Sequence, residues 1–436
     1  MAIDFRRLLR ALAHRNYRLF FAGQGISLVG TWMQQIAMSW LVFRMTGSSW
    51  DLGLVLFCGQ VPALFLSPVA GVLTDRWNRH RLILLTQSLA MLQALLLAAL
   101  TLAGVVQVWH LILLSLFMGV VNTFDMTGRQ AFLTEMVSSR EDLGNAIALN
   151  SSMVNGARLV GPSLAGLLLA VTSAGVCFLA NGVSYVAVLV ALLAMRLPPR
   201  ERPFKRTPLW QGLREGFHYA FGFAPIRALL LLLGLASLTG MSYTVLLPQF
   251  TVDVLHGDAH VLGFLTAASG LGALAGALSL AARKSVLGLG RWVVLAAGLM
   301  GLALLGFDLA RGLLPALGVL FVIGFAMMVQ MAASNTILQT IVDEDKRGRV
   351  MSFYTMAFLG MAPLGSLLAG ALAARYGLKV AFVVNGVLLL AGAVVFAFHL
   401  PRLRTLVRPI YVRLRILPEI AAGIESATTL SMTVKE

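Results

Sequence analysis

The sequence predicts an all-α integral membrane protein of twelve transmembrane helices, arranged as two pseudo-symmetric six-helix bundles. Three observations carry this. The chain is 58% hydrophobic and only 12% charged, where soluble domains carry roughly 25% charged residues. Apolar runs of about 20 residues, each enough to cross roughly 30 Å of hydrocarbon, recur along the chain. The two halves also repeat weakly: Gly119 to Val137 aligns with Gly324 to Val342, and Gly161 to Gly166 with Gly365 to Gly370. The period-2 alternation of an outer-membrane barrel does not occur.

The spans fall at roughly 17–43, 52–74, 82–104, 109–130, 146–171, 175–196, 226–250, 261–282, 292–309, 313–340, 351–374 and 378–400. Arg6, Arg7, Arg10 and Arg15 precede the first run and no small-residue cleavage pattern follows it, so this helix is expected to remain as a span. Of the 34 lysines and arginines, 29 fall in alternate segments that begin with the N-terminus; Arg44, Arg311, Arg375 and Lys379 fall in the others. By the positive-inside rule both termini are cytoplasmic. The net charge of +16 then reflects topology, not nucleic-acid binding.

A proline-rich connection, Arg196 to Ala224, divides the chain. Residues 1–196 form the N-terminal six-helix bundle, 197–224 a cytoplasmic linker, 225–400 the C-terminal bundle and 401–436 a cytoplasmic tail. Within the linker, Pro208 to Phe223 has helical spacing; it reads as an amphipathic helix on the membrane surface or equally as a packed linker helix. Cys58 and Cys177 lie in apolar runs and read as small hydrophobes, and neither a metal site nor a cofactor is expected.

The stretch Gly71-Val72-Leu73-Thr74-Asp75-Arg76-Trp77-Asn78-Arg79-His80-Arg81 is a basic turn between spans two and three, with one acid among three arginines. Together with the twelve spans it resembles the signature of the major facilitator superfamily. Gly71, Leu73, Asp75, Arg76, Arg79 and Arg81 match, and Asn78 replaces the family's second glycine, a substitution that a left-handed backbone tolerates. The resemblance covers about residues 10–400 and implies the major facilitator fold, with the loop locking the outward-open state. Ion pairs suit a gate that must close and reopen, because each is worth a few kcal/mol at most. Asp125, near the inner end of span four, is the expected partner of Arg79 or Arg76; its other option is Arg129, one turn on. The equivalent turn of the second half keeps Arg283 and Lys284 without the acid, so a network is expected in one half only.

Span five carries Asn155 to Gly166, which resembles the superfamily's antiporter motif at Gly161, Pro162 and Gly166. Small residues permit close helix contact and proline bends the span, so a plain helix interface is the other reading. Span eight offers Gly270, Gly272 and Gly276 as the complement. Arg158 is the one basic residue in the middle of a span. It reads as a counter-charge for an anionic or oxygen-rich substrate group or as a donor to carbonyls that Pro162 opens. Gln24, Thr31, Gln35, Asn155, Tyr243, Gln330 and Ser334 complete the candidate substrate cavity. The methionines of spans ten and eleven favour a large, partly apolar substrate.

Glu135 to Asn145, reached through Asp125 and Arg129, resembles the enterobactin-exporter and macrolide-efflux-like branch. That implies a secondary exporter of amphiphilic small molecules, drug or siderophore, in a bacterial inner membrane, coupled to protons and monomeric. A lipid or lysolipid translocator, or an importer, would use the same fold. A membrane enzyme should cluster His, Asp or Glu at the membrane boundary, and no such cluster occurs; a non-transporting receptor is the remaining remote class. No phosphate-cradling glycine loop with Lys-Ser/Thr is present, so ATP is not used directly. Asp125 is the acid to test as a proton carrier.

Overall fold

The computed structural model describes residues 10–137, 140–196, 217–283, 285–343 and 346–413. Among them lie twelve helices long and apolar enough to cross a membrane. These are α1 (Arg15–Thr46), α2 (Ser49–Arg76), α3 (Arg79–Leu102), α4 (Val108–Met136), α5 (Arg140–Val171) and α6 (Ala174–Leu193), then α7 in two pieces (Ala224–Leu235 and Tyr243–Asp253). There follow α8 (Ala259–Ala281), α9 (Leu289–Gly306), α10 (Leu313–Ile341), α11 in two pieces (Arg347–Thr355 and Met361–Tyr376) and α12 (Leu378–Arg413). In hydrocarbon every backbone donor must be met within its own helix, which is why the apolar runs take this form.

Local chemistry sets the ends. Gly47 stops α1 at φ +61, donating its N–H to Phe43 O at 2.7 Å, and the Ser48 side chain accepts from Asp51 N to start α2. A two-residue connection of this kind reverses the chain, so α1 and α2 run antiparallel. Asn78 starts α3 by accepting the Arg81 N–H at 3.1 Å, and its backbone is extended (φ −67). This corrects the left-handed expectation: asparagine serves here through its capping oxygen, not its backbone tolerance.

Close helix contact rests on small residues. A Cβ on Gly30 of α1 would lie 2.5 Å from the Ser184 Oγ of α6, and one on Gly119 of α4 would lie 2.5 Å from the Gly59 carbonyl of α2. Between α1, α3 and α6, Gln34 donates to Gln93 at 3.0 Å and Asn181 donates to Gln34 at 2.8 Å, all three buried.

Two departures from regular helix stand out. Ala236–Gly240 in α7 and Met356–Gly360 in α11 are single π-helical turns, and they meet where the Ser237 hydroxyl donates to the Phe358 carbonyl. The extra residue in each turn frees a carbonyl that the regular ladder would use. Helix α12 continues to Arg413, beyond the expected span end at 400.

The halves touch through α2 with α11 and α5 with α8. At the end away from the termini the contacts are tight. A Cβ on Gly370 would lie 2.5 Å from the Ser49 carbonyl, one on Gly53 2.9 Å from that of Ser366, and one on Gly263 2.7 Å from that of Pro162. The Ser49 hydroxyl donates to Gln249 at 2.6 Å. Toward the termini the same faces open: beyond Gly270, the α8 stripe carries Leu274 and Leu278, 38% and 64% exposed. The two halves close at one end and part at the other.

Candidate functional site

At the end that carries the termini, Asp125 is 3% exposed. Its Oδ1 accepts from the Thr86 hydroxyl at 2.9 Å and from Gln87 Nε2 at 2.8 Å, while its Oδ2 meets Arg129 Nη2 at 2.6 Å. A carboxylate taken out of water needs this set of donors and a cation. The cation is Arg129 in its own helix, not Arg79; the Arg76 side chain lies outside those described. Spacing explains the correction: four residues along a helix bring side chains together with no loop to order. Arg79 instead reaches Glu135 at 3.2 Å, joining the start of α3 to the end of α4. Arg81 is exposed, and His80 donates through Nε2 to the Leu192 carbonyl at 2.8 Å. The side chains at positions 71, 72, 75 and 76 lie outside those described, so Gly71, Asp75 and Arg76 enter only through the backbone of α2.

The second half has a network of its own, contrary to expectation. Asp343, just past α10, accepts from the Tyr219 hydroxyl at 3.1 Å and pairs with Arg413 Nη2 at 3.1 Å; the Lys346 ammonium lies 4.8 Å from the Tyr219 ring centre. The acid comes from a connection that the internal repeat does not place opposite Asp75, and its partners come from linker and tail. Of the expected linker helix, 208–216 lie outside the described residues. Residues 217–222 are helical and packed: Phe217 stacks on Phe221 at 4.5 Å, and Phe221 meets Phe353 edge-on at 6.1 Å.

The span-five residues divide their work. Gly161 faces α1, where a Cβ would fall 2.5 Å from the Trp32 Cβ. Pro162 and Gly166 face α8, with Gly166 lying 3.2 Å by the same measure from Gly263 Cα. Gly270 faces Arg158 and Leu159, but Gly272 and Gly276 turn to α10 and the backbone of Phe321 and Phe325. The complement to span five is therefore Gly263 and Gly270. Two residues is about 200° of turn, so Gly270 and Gly272 cannot serve one neighbour.

Arg158 is half-buried with its guanidinium 5.6 Å from the Trp32 ring centre, rather than on carbonyls near Pro162. A desolvated cation over an indole face gains up to about 2 kcal/mol, and its donors stay available. The other cavity candidates scatter. Gln24 is buried with Oε1 unpaired, as is the Ser27 hydroxyl one turn on. The Thr31 hydroxyl donates to the Ser27 carbonyl at 3.0 Å and lies 3.5 Å from the Tyr185 hydroxyl. Gln35 is exposed; Gln34 beside it is the buried amide. Asn155 donates to the Ser151 carbonyl at 2.9 Å on the face that parts from α8. The Tyr243 hydroxyl lies 2.8 Å from the Ser269 hydroxyl, both buried. Gln330 and Ser334 are buried and unpaired, and Gln330 faces a cavity of about 10 Å³ beside Ser237, Met327 and Phe358, room for one water. The Gln34, Gln93 and Asn181 cluster escaped sequence reading because neutral amides in apolar runs carry no signal of direction.

Helical bundles of this kind, parted at one end around buried polar side chains, define a membrane transporter. Residues 8–409 match the family described as transmembrane secretion effectors, and the chain belongs to that family of the major facilitator superfamily. It is similar to the staphyloferrin A transporter of Staphylococcus aureus, 28% identical across 87% of this chain and 95% of the relative. The multidrug efflux pump Tap of Mycolicibacterium fortuitum is 26% identical across 88% and 94%. The enterobactin exporter EntS of Shigella boydii is 31% identical across 83% and 86%. Among solved structures, a bacterial homolog of the human lysosomal transporter Spinster, inward-facing and unoccupied, superposes with a TM-score of 0.67 at 16% identity, covering 93% of this chain and 99% of that one. The resemblance to an exporter branch holds, the fold is that of the superfamily, and this is a family of transporters, not enzymes.

Proposed function

We propose that this chain exports amphiphilic small molecules, of the drug or siderophore kind, across the bacterial inner membrane by alternating access of its two halves, coupled to proton entry. The observation that carries this reading is the end-to-end similarity to siderophore exporters and a multidrug efflux pump. The geometry supports it. Buried polar groups left without partners, such as the Gln24 Oε1 and the Ser27 hydroxyl, forfeit roughly 1–3 kcal/mol each unless water or substrate reaches them. Arg158 over Trp32 offers a cation and an aromatic face to an amphiphile with a carboxylate or catecholate.

In this reading both termini and the parted end face the cytoplasm, with the 1–196 and 225–400 bundles rocking about the linker. Asp75, Arg76, Arg79 and Arg81, with Gly71 at the entry, hold the cytoplasmic ends together when the halves swing shut there; Asp125 and Arg129 brace α4 behind them. Substrate collects among Gln24, Thr31, Asn155, Arg158 and Tyr243, and the protein works as a monomer. The test is flux into inverted membrane vesicles, with a fluorescent amphiphile and a ferric-siderophore precursor as substrates and an imposed pH gradient. Accumulation of either should follow the gradient, and Asp75→Asn should reduce it at least tenfold at unchanged expression. No accumulation of any amphiphile sinks the exporter reading; loss of the folded protein on Asp75→Asn removes the gating role and leaves the loop a structural staple.

A further inference from the structure

A groove of about 240 Å³ runs down the outside of the C-terminal bundle, where α7, the turn between α8 and α9, and the far end of α12 meet. Its walls are apolar: Leu229 from α7, Val286 and Leu287 from the turn, and Phe396, Leu400, Leu403 and Val407 from α12. The α12 residues recur at spacings of three and four, so they form one stripe. Arg404 and Arg408 lie at the groove, each one position from that stripe, exposed and with no partner among the described residues. Arg413, one turn on, is taken up by Asp343.

Depth in the membrane explains the combination. After Lys379, α12 carries no lysine, arginine or acid until Arg402. About 20 residues from Val380 cross the hydrocarbon and reach His399. Arg404 stands five residues further, about 7 Å on, within the headgroup layer. The groove therefore begins at acyl-chain level beside Phe396 and ends at phosphate level beside two unclaimed guanidinium groups. Trp292, under the Arg283 guanidinium at 5.4 Å, marks the same boundary in α9. Basic pockets between helices at this depth suit anionic headgroups.

We propose that this groove is a binding site for one anionic phospholipid, with acyl chain against Leu229, Phe396 and Leu400 and its phosphate held by Arg404 and Arg408. A phospholipid satisfies both ends of the groove at once, which neither an apolar segment nor a free anion does. The site lies on the outside of one bundle, away from the interface between the halves. It stands apart from the exporter reading, since lipid is retained whether or not substrate moves.

The test is native mass spectrometry of the full chain, delipidated in detergent and titrated with phosphatidylglycerol or phosphatidylcholine. One phosphatidylglycerol should be retained in preference to phosphatidylcholine. Arg404→Gln with Arg408→Gln should weaken that retention about tenfold or more, since each juxtamembrane cation contributes about 1 kcal/mol. Arg402→Gln, outside the groove, should change nothing, and Arg404→Lys with Arg408→Lys should retain most of it at unchanged thermal stability. Equal retention of both lipids overturns the proposal, as does an unaffected double Gln variant. Displacement by inorganic phosphate alone makes it a phosphate site instead. Retention seen only in a chain ending at Arg413 means the tail fills the groove, and the proposal fails.

Discussion

At the scale of single residues, Asp125 shows how a membrane acid is made tolerable and what that costs its chemistry. Two neutral donors and one guanidinium satisfy its oxygens. Removing the charge at position 125 would leave Arg129, 24% exposed at its side chain, without its carboxylate partner. Asp125→Asn keeps the shape and two acceptor lone pairs while removing the charge. The expected outcome is loss of pH-gradient-driven flux with substrate binding retained within about threefold, measured in vesicles and by fluorescence quenching. Gradient-driven flux that survives the substitution excludes Asp125 as the carrier.

At the scale of elements, glycines write the packing, and their direction matters more than their number. Gly263 lies across the junction of the halves and Gly272 within one bundle, against Phe321 of α10. Gly263→Ala presses a methyl on backbone atoms of the other half, so the bundle should stay folded while the tight end is pushed apart. A cysteine placed at position 49 in a Cys58→Ser, Cys177→Ser background should then react faster with an impermeant maleimide. Gly272→Ala presses on its own bundle and should lower thermal stability by about 1–3 kcal/mol instead, with no gain in labelling. If the two variants behave alike, the assignment of the interfaces is wrong. The same contrast shows what sequence could yield. Spans and the motif at 71–81 were legible because hydropathy and a fixed spacing each leave a local mark. The π-turns in α7 and α11 were not: one extra residue in a uniformly apolar run changes no average. The partner of Asp125 was open between Arg129 in its own helix and Arg79 or Arg76 across a loop, and only the fold decides between them. The network at Asp343 was invisible because Tyr219, Asp343 and Arg413 are far apart in the chain and share no motif.

At the scale of the whole molecule, the tight end and the parted end must exchange if the halves alternate. The tight end is held by backbone approaches at Gly53, Gly263 and Gly370 and by the Ser49 bond to Gln249. These are close contacts without ion pairs, so they resist lateral sliding but part with little electrostatic cost, and each lost hydrogen bond costs about 1 kcal/mol net. At the end with the termini, ion pairs brace each half separately, Arg79 with Glu135 in the first and Arg413 with Asp343 in the second. A junction held by fit, with no ion pair among these contacts, is one that a few kcal/mol from substrate or proton can bias. The consequence is direct. Cysteines at 49 and 249, in the same cysteine-free background, sit close enough for a short bis-methanethiosulfonate linker, losing a sulfinate at each end, to join α2 and α7 across the halves. Cross-linking should abolish flux while leaving substrate binding from the parted side intact, and cleavage of a reducible linker should restore flux. Full transport by the linked protein means that the tight end never opens, and alternation of the halves is then not how this protein moves its substrate.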